Sequence, residues 1–372
     1  MKLLHLIKTS TGASWAYRLM RNLVLMGNEV HVAMPLNGEL VKKYVEAGII
    51  VHEIKFSCFK IFNSIIALRK LVRDIKPDII HSHFFITTVI MRLALVGIKV
   101  KRIFQVPGPL HLEYSFFRNM EICLANDRDY WIATCKWTEN RYKQCGIDYR
   151  HLFLSFYGGD IDNNQYERGR LRKELGLDEN AFLVGMVAFM YPPKYYLGQK
   201  TGLKGHEDLI DAISMIQHKY DNLHLVFVGG AWGDIKYYDK VVKYGKAKVR
   251  NIHFLGTRKD VPYLYQDFDL AVCPSHSENL GAAAESILYG IPTIATNVGG
   301  LPDIVIPGKT GYLVSPFCSQ ELANKIEYVI GNINEAIQLA QNGKKILTNA
   351  LNSKNTSAEV NKIYNIIIND KT

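Results

Sequence analysis

The sequence lacks the features that mark several common classes of protein. No apolar run is long enough for a transmembrane helix, because the most apolar candidate, around Phe84–Val100, contains Arg92 and Lys99. The first apolar run, Leu3–Ile7, is shorter than a secretory signal peptide requires. There is no GxGxxG fingerprint, helix-turn-helix, zinc or RNA-recognition signature. We therefore expect neither a membrane span, nor a dinucleotide cofactor, nor a nucleic-acid partner.

Cysteine is also scarce, with six residues in a chain of 372 and no CxxC pair. In this pattern the thiols are expected to be buried and reduced, as in a cytoplasmic protein. No cluster of histidine, cysteine and carboxylate residues has the spacing of a metal site, so no metal and no other cofactor is expected.

What the chain does have is the length for two domains and a globular composition, with 48% hydrophobic and 22% charged residues. Apolar segments of strand length alternate with helical segments, which predicts an α/β fold. A first domain is expected over residues 1–165 and a second over 166–355. Residues 356–372 are predicted to form an amphipathic helix that crosses back to the first domain, and the polar segment Asp160–Arg172 to be a linker.

Two series of strands are predicted, one in each half of the chain. The strands of the first half are placed at Lys2–Ile7, Glu29–Met34, Val51–Ile54, Asp78–His83, Arg102–Val106, Tyr130–Thr134 and Leu152–Tyr157. Those of the second half are placed at Phe182–Ala188, His224–Val228, Ile252–Leu255, Leu270–Cys273 and Pro292–Thr296.

The most informative stretch is Cys273–Pro316, CPSHSENLGAAAESILYGIPTIATNVGGLPDIVIPGKTGYLVSP. It predicts a strand, a polar loop, a helix from Gly281 to Tyr289, a second strand and a Gly-rich loop, which is a parallel βαβ unit. A helix N-terminus binds phosphate, and Gly281 lets a ligand approach the backbone. Glu285 lies one turn into the helix, where a carboxylate can accept hydrogen bonds from a ribose diol, and Glu278 lies in the loop before it. The alternative is that both glutamates only complement the helix dipole.

These residues resemble the C-terminal signature of retaining glycosyltransferases of family 4, which have the GT-B fold. The signature has PS, a loop glutamate, a glycine, a helical glutamate and then G-x-P-x-x-A-T-x-x-G-G. Here the two glutamates are separated by six residues, one fewer than is usual in the family. The resemblance implies that Glu285 holds the ribose, and that Asn279, Leu280 and Gly281 bind the β-phosphate. Glu278 is expected to face the transferred sugar and to act in catalysis.

The same resemblance extends to the loop that precedes the helix beginning near Gly205. Family 4 enzymes have an arginine after the first strand of this domain and a Lys-Gly pair before the helix, and both cations bind the donor diphosphate. Lys204-Gly205 matches the pair, and Lys204 is expected to be catalytic, with a solvated surface lysine as the alternative. The arginine is absent, and Lys194 or Lys200 is taken as its substitute. Arg258, after a later strand, is expected to contact the nucleotide.

In the first half, two loop residues are singled out. Gly12 follows the first strand, in a loop where family 4 members carry glycines near the donor phosphates; a plain turn glycine is the alternative. His111 lies in a Pro/Gly loop after the strand ending at Val106, and it is expected to orient the acceptor or the transferred sugar. A structural histidine is its alternative.

The net charge of +10 is concentrated in the first half, because residues 1–168 hold 23 Lys and Arg against 15 Asp and Glu. Aromatic and basic residues alternate in Lys55–Phe62, and a basic helix follows. Such a surface suits the face of an anionic membrane, although an ordinary amphipathic helix has the same pattern.

The resemblance implies two Rossmann-like domains facing a cleft, and transfer of a hexose from a nucleotide diphosphate sugar to an acceptor hydroxyl with retention of configuration and without metal. The acceptor is expected to be a polysaccharide or lipid-linked glycan, as in capsule or lipopolysaccharide synthesis at the cytoplasmic face of the inner membrane. Two alternatives keep the fold: a nucleotide-sugar epimerase, and a non-catalytic accessory subunit.

Overall fold

The structure is a computed structural model that describes residues 1–160 and 166–370. The chain divides into two compact units, Met1–Ile161 with Asn349–Thr372, and Asp162–Thr348. Each unit contains one parallel β-sheet covered by helices on both faces, the architecture predicted for a Rossmann-like domain. Among the described residues, none of the helices has both the length and the apolar character needed to span a bilayer.

The first unit contains a seven-stranded sheet with strand order β3-β2-β1-β4-β5-β6-β7. Its strands are β1 Lys2–Leu6, β2 Glu29–Met34, β3 Ile50–Glu53, β4 Ile79–Ser82, β5 Lys101–Phe104, β6 Asp129–Ala133 and β7 Leu152–Leu154. Its helices are α1 Ser14–Leu25, α2 Leu40–Glu46, α3 Ile61–Ile75, α4 Phe85–Ala94, α5 Leu110–Glu113, α6 Ser115–Cys123 and α7 Lys136–Gln144, and it includes a short 3-10 helix at Tyr149–His151.

The second unit contains a six-stranded sheet with strand order β10-β9-β8-β11-β12-β13. Its strands are β8 Phe182–Val187, β9 Leu223–Val228, β10 Ile252–Phe254, β11 Leu270–Cys273, β12 Thr293–Thr296 and β13 Tyr312–Val314. Its helices are α8 Arg170–Glu174, α9 His206–Ile216, α10 Ile235–Lys248, α11 Val261–Tyr265, α12 Gly281–Leu288, α13 Leu301–Ile304 and α14 Ser319–Gly331, followed by α15 Ile333–Ala350.

The last helix, α16 Ser353–Asn369, belongs to the first unit and packs against α1. Asn22 of α1 donates to the hydroxyls of Ser353 and Ser357 at 3.2 Å each, in a buried position. Gly158 packs against the same helix so closely that a Cβ there would lie 2.5 Å from the Ser353 Cα. The C-terminal helix is therefore held by both apolar packing and buried polar contacts.

Successive residues of the strands enter opposite cores because a strand turns its side chains alternately to the two faces of a sheet. In β1, Leu3 packs in the core under α1 and α16, whereas Leu4 packs in the core on the other face. In β8, Val184 packs in one core of the second unit, and Leu183 packs in the core on the other face of the sheet. This alternation decides which polar residues of a strand share a face.

All of the predicted strands are confirmed, with bounds that shift by at most three residues. Strand β13 and helices α2, α5, α6, α8, α10, α11 and α13 were not predicted. The linker prediction for Asp160–Arg172 is wrong at its end, where α8 begins at Arg170, and its residues 161–165 lie outside the described part.

The expectation of buried thiols holds for Cys135 and Cys273 and is wrong for Cys58 and Cys123, which are exposed.

Candidate active site

The carboxyl ends of β11 and β12 carry the loop that contains Glu278, and hydrogen bonds fix this loop in place. The Thr296 hydroxyl donates to the carbonyl oxygen of Ser275 at 2.5 Å. The amide of Gly300 donates to the carbonyl oxygen of Glu278 at 3.2 Å. Thr296 ends the adjacent strand β12 and Gly300 lies in the loop after it, so the loop that carries Glu278 is bonded to both.

The Glu278 carboxylate points back into the loop and is surrounded by donors. It contacts the Lys204 ammonium, lies 3.4 Å from the Ser275 hydroxyl, and accepts from the Asn279 amide at 3.1 Å. Gly281 is required beside it: its φ is +50°, and a Cβ there would lie 2.6 Å from the Glu278 carboxyl group. Any other residue at this position would displace the carboxylate.

Lys204 reaches this carboxylate from the loop that precedes α9. The loop is held against β11, because the His276 amide donates to the Leu203 carbonyl at 2.9 Å. Gly205 has a φ of +74°, and a Cβ there would lie 2.0 Å from the carbonyl oxygen of Pro274. The Lys-Gly pair of the sequence is therefore also a packing requirement, since only glycine brings this loop close enough for Lys204 to reach Glu278.

The Lys204–Glu278 pair is partly shielded from water, with exposed side-chain fractions of 17% and 15%. Burial by itself lowers the pKa of Lys204, but the attraction and hydrogen bond of Glu278 outweigh it and raise the pKa above its ordinary value. The Tyr191 ring lies 5.6 Å from the ammonium nitrogen. Lys204 is thus a fixed positive charge, and it retains donor capacity for an anion because an ammonium has three N–H bonds.

Glu285 is exposed and lies one turn into α12, as predicted. The buried phenol of Tyr265 donates toward its carboxylate at 3.4 Å and lies 3.3 Å from the carbonyl oxygen of Ala282. The Tyr265 ring is stacked on Tyr289 with centroids 5.3 Å apart. Burial raises the pKa of Tyr265 well above its ordinary value, so the phenol keeps its proton and orients the carboxylate as a donor.

The N-terminus of α12 adjoins both glutamates. Within the described residues, no side chain caps this helix, so its first amides are available to a ligand anion. Leu280, at the cap position, is buried. The Oδ1 atom of Asn279 is buried and has no hydrogen-bond partner in the described part of the chain, which makes it a second open polar group here.

Other predicted donor-site residues lie elsewhere or in different surroundings. Arg258, after β10, pairs with Glu174 at 2.5 Å and with Asp260 at 2.8 Å. Its hydrogen bonds to Asp260 and Glu174 raise the pKa of Arg258 above its ordinary value. Lys194 lies exposed after β8, where its amide donates to the Gln199 side chain at 2.9 Å. The nucleotide contacts of Arg258 and Lys194 stay predictions.

In the first unit, Gly12 is exposed after β1 with a φ of +75°. His111 is buried in α5, with its Nε2 atom 3.1 Å from the Tyr142 hydroxyl and 3.4 Å from the Glu121 carboxylate. Tyr142 also donates to Glu121 at 2.7 Å, which completes a buried polar triangle. Burial lowers the pKa of His111, although Glu121 opposes the shift. The contact of His111 with a sugar stays a prediction.

Several residues of the site were not found from the sequence. Tyr265 and Tyr191 contact the predicted residues from positions that carry no motif, and His276 is bonded to Asp208 at 2.7 Å. Ser275, which contacts Glu278, belongs to the PS of the signature but was given no role. The sequence signal for Tyr265 was slight, since it is one of 21 tyrosines and lies at the end of a short helix.

Comparison with family models identifies the group to which this site belongs. Residues 191–346 match the model of glycosyl transferases group 1, and residues 12–153 match the model of glycosyltransferase family 4. The two matches together take in most of the chain and both units. The chain belongs to glycosyltransferase family 4. The predicted resemblance, the two-domain α/β architecture and the glycosyltransferase assignment are thereby confirmed.

Individual relatives of this family 4 glycosyltransferase are distant in sequence. The glycosyltransferase EpsD of Bacillus subtilis (strain 168) is 27% identical over 351 residues, which is 86% of this chain and 84% of EpsD. The capsular polysaccharide biosynthesis glycosyltransferase CapM of Staphylococcus aureus is 25% identical over 218 residues, 58% of this chain and 53% of CapM. The solved structure of Anabaena HepE in complex with UDP-glucose matches with a TM-score of 0.82 and 21% identity, covering 98% of this chain and 99% of HepE.

Proposed function

We propose that this family 4 glycosyltransferase moves a hexose from a nucleotide diphosphate sugar to an acceptor hydroxyl with retention of configuration. The observation that carries the proposal is the convergence of Lys204, Glu278, the uncapped N-terminus of α12 and Glu285 at the carboxyl ends of β11 and β12. A diphosphate needs cations and amide donors, and a ribose diol needs an acceptor. The site offers both kinds of group within one loop and one helical turn.

The role of each residue follows from its position. Glu285 accepts hydrogen bonds from the ribose hydroxyls, and Tyr265 fixes its carboxylate. The amides near Leu280 and Gly281 hold the β-phosphate, and Lys204 stabilises the charge that develops on the departing diphosphate. Glu278 keeps Lys204 in place and faces the transferred sugar. Since an ammonium and helix amides neutralise the leaving group, the transfer needs no metal at this position.

A UDP-hexose is the donor that we propose first, because HepE, which shares the fold of this chain, has been solved in complex with UDP-glucose and with UDP and glucose. The acceptor that we propose is a polysaccharide or lipid-linked glycan at the cytoplasmic face of a membrane. The name of CapM supports the polysaccharide acceptor, since CapM is a capsular polysaccharide biosynthesis glycosyltransferase.

The donor proposal is tested by nucleotide release from a panel of UDP-, GDP-, dTDP- and ADP-sugars, with chelator and with added Mg²⁺ or Mn²⁺. We expect slow hydrolysis of one donor at rates that agree within about twofold in the two conditions, since ammonium and amide groups perform the charge stabilisation. Nuclear magnetic resonance of the sugar product in the presence of acceptor is expected to show the anomeric configuration of the donor.

Three results would contradict the proposal. An epimerised sugar still attached to its nucleotide would identify an epimerase, and inversion of the anomeric centre would exclude retention. No release of nucleotide from any donor, together with no thermal stabilisation by any of them, would indicate a non-catalytic protein.

Membrane contact is proposed through α3 and the turn before it. Phe59 is fully exposed, and Phe62 and Ile66 are 76% and 68% exposed. Lys70 and Arg73 continue the same helix face toward its C-terminus and are also exposed. Exposed apolar side chains next to positive charges are typical of a surface that inserts among anionic lipid headgroups.

We expect the double variant Phe59→Ser/Phe62→Ser to bind anionic vesicles roughly tenfold more weakly at low salt, because each buried aromatic contributes about 1.5–3 kcal/mol when fully removed from water. Co-sedimentation with vesicles containing phosphatidylglycerol measures this. The matched control is Tyr149→Ser, since Tyr149 is an exposed aromatic of the same unit. Equal loss in the control, or no sedimentation of the wild type, would contradict membrane contact through α3.

A further inference from the structure

Three histidines share one face of the sheet in the first unit. His5 of β1 and His81 of β4 are paired in the register of the two parallel strands, and His83 follows two residues after His81. All three side chains are buried, with exposed fractions of 0–1%. They therefore lie inside the core beneath α1 and α16, which also contains Leu3 and Ile79. The sequence analysis singled out no metal-binding cluster, whereas the structure brings these three side chains together.

The ring nitrogens of these histidines face one another. One nitrogen from each ring lies within 4.8 Å of the other two. The His5 Nδ1 atom is 2.9 Å from the His83 Nε2 atom, and the rings of His81 and His83 are stacked with centroids 4.1 Å apart. The Nε2 atoms of His5 and His81 are buried and have no hydrogen-bond partner among the described residues. Buried polar atoms of this kind require an explanation, because an unpaired one has lost its hydration without gaining a hydrogen bond in exchange.

The outer nitrogens are held by tyrosines. His83 Nδ1 lies 2.7 Å from the Tyr157 hydroxyl, which itself donates to the carbonyl oxygen of Gln105 at 2.6 Å. The Tyr157 hydroxyl donates its proton to the Gln105 carbonyl, so it accepts a hydrogen bond from the Nδ1–H group of His83. The Nε2 atom of His83 is therefore unprotonated, and its lone pair points into the cluster. His81 Nδ1 lies 2.6 Å from the hydroxyl of Tyr364 in α16. Metal-binding histidines are usually oriented in this way by a partner on the second nitrogen.

Burial also lowers the pKa of all three imidazoles. It lowers the pKa of His5 to about 3, and together with the neighbouring histidines it lowers the pKa of His81 well below its ordinary value. The pKa of His83 is lowered in the same way.

We propose that His5, His81 and His83 bind one divalent transition-metal ion, with Zn²⁺ as the first candidate. Neutral imidazole is a ligand of zinc, copper, nickel and cobalt, and three of them leave one tetrahedral position for water. Zn–N bonds of about 2.0–2.1 Å place ligand nitrogens about 3.4 Å apart, so small shifts of the present rings are sufficient. The ion would join β1 to β4 and, through Tyr364, to α16. Its role is structural, because all three ligands are buried in the first unit.

The metal content of the untagged full chain tests this. We expect about one zinc ion per chain by mass spectrometry, and less than a tenth of that in His81→Gln. The matched control is His253→Gln, because His224 and His253 form a half-exposed stacked pair with nitrogens 3.1 Å apart. Among the described residues, no third metal-binding side chain completes a cluster with them. The control is expected to retain the ion.

A second measurement on the wild type avoids dependence on the folding of a core variant. Chain stripped with a chelator is titrated with Co²⁺, and we expect saturation at about one equivalent with intense visible bands of a tetrahedral site. Restored Zn²⁺ is expected to raise Tm by several degrees, because it binds the folded chain preferentially. Unchanged metal content in His81→Gln would overturn the proposal. So would the absence of both stoichiometric metal and Co²⁺ bands in the wild type, which would leave the trio as a hydrogen-bonded cluster.

Discussion

Glu285→Ala is expected to lower kcat/KM for the nucleotide sugar by about 10²–10³-fold. A ribose diol donates two hydrogen bonds to a carboxylate, and a hydrogen bond to a charged group contributes about 1.5–3 kcal/mol. Glu285 is exposed to an entering ligand and is already oriented by Tyr265, so little ordering is needed on binding. Initial rates with the donor identified by the panel, and calorimetric affinity for the free nucleoside diphosphate, measure the loss.

Two further variants separate ribose binding from a helix-dipole effect. Glu321 lies in the first turn of α14, where its carboxylate accepts from the Ser315 amide at 2.9 Å, and Glu321→Ala is expected to leave donor turnover within about twofold. Tyr265→Phe removes only the donor that orients Glu285, and we expect a rise in KM of roughly threefold to tenfold with little change in kcat. If Glu285→Ala and Glu321→Ala cost the same small amount, the carboxylate only complements its helix and the ribose role is wrong.

The position of Glu285 was predictable because local signals agree around it. Apolar runs define β11 and β12, Gly281 and Gly290 bracket the helix, and the motif gives the order of the parts. Parallel strands in an α/β sheet place these loops at one edge whatever the details of packing. The same reasoning predicted that Lys204 lies near Glu278, although the two residues are 74 positions apart in the sequence.

The features that could not be predicted are contacts between residues that are far apart in the sequence. Arg258 was expected at the nucleotide from its place after a strand, but the structure gives it partners in Glu174 and Asp260. The histidine cluster was overlooked because His5 and His81 meet only through the β1–β4 register, which the sequence does not display. Helix α10 was missed since Gly245 and a polar, lysine-rich surface weaken its helical pattern.

Lys204→Met is expected to lower kcat by about 10²–10³-fold with a smaller loss of nucleotide affinity. The ammonium acts most strongly on the charge that develops as the diphosphate departs, and removal of one such donor from an active site costs this much. Lys204→Arg keeps the charge but changes the donor geometry, and it is expected to recover only part of the rate. Steady-state rates and equilibrium affinity for the nucleoside diphosphate, measured on the same preparations, give the two losses separately.

Lys204→Met also removes the ion-pair partner of Glu278. A loss of kcat must therefore be separated from a loss of structure. Lys219→Met breaks an ion pair of 2.7 Å with Glu327 in the same unit, and we expect it to change neither kcat nor affinity. Lys204→Met/Glu278→Gln removes the unpaired carboxylate, so any stability lost in the single variant should return while kcat stays low. Recovery of kcat in the double variant would show that the lysine serves only to neutralise Glu278. Because Glu278 itself faces the transferred sugar in our proposal, Glu278→Gln is measured alone beside the double variant. A double variant with restored Tm that is slower than Glu278→Gln would place the Lys204 charge on the departing diphosphate.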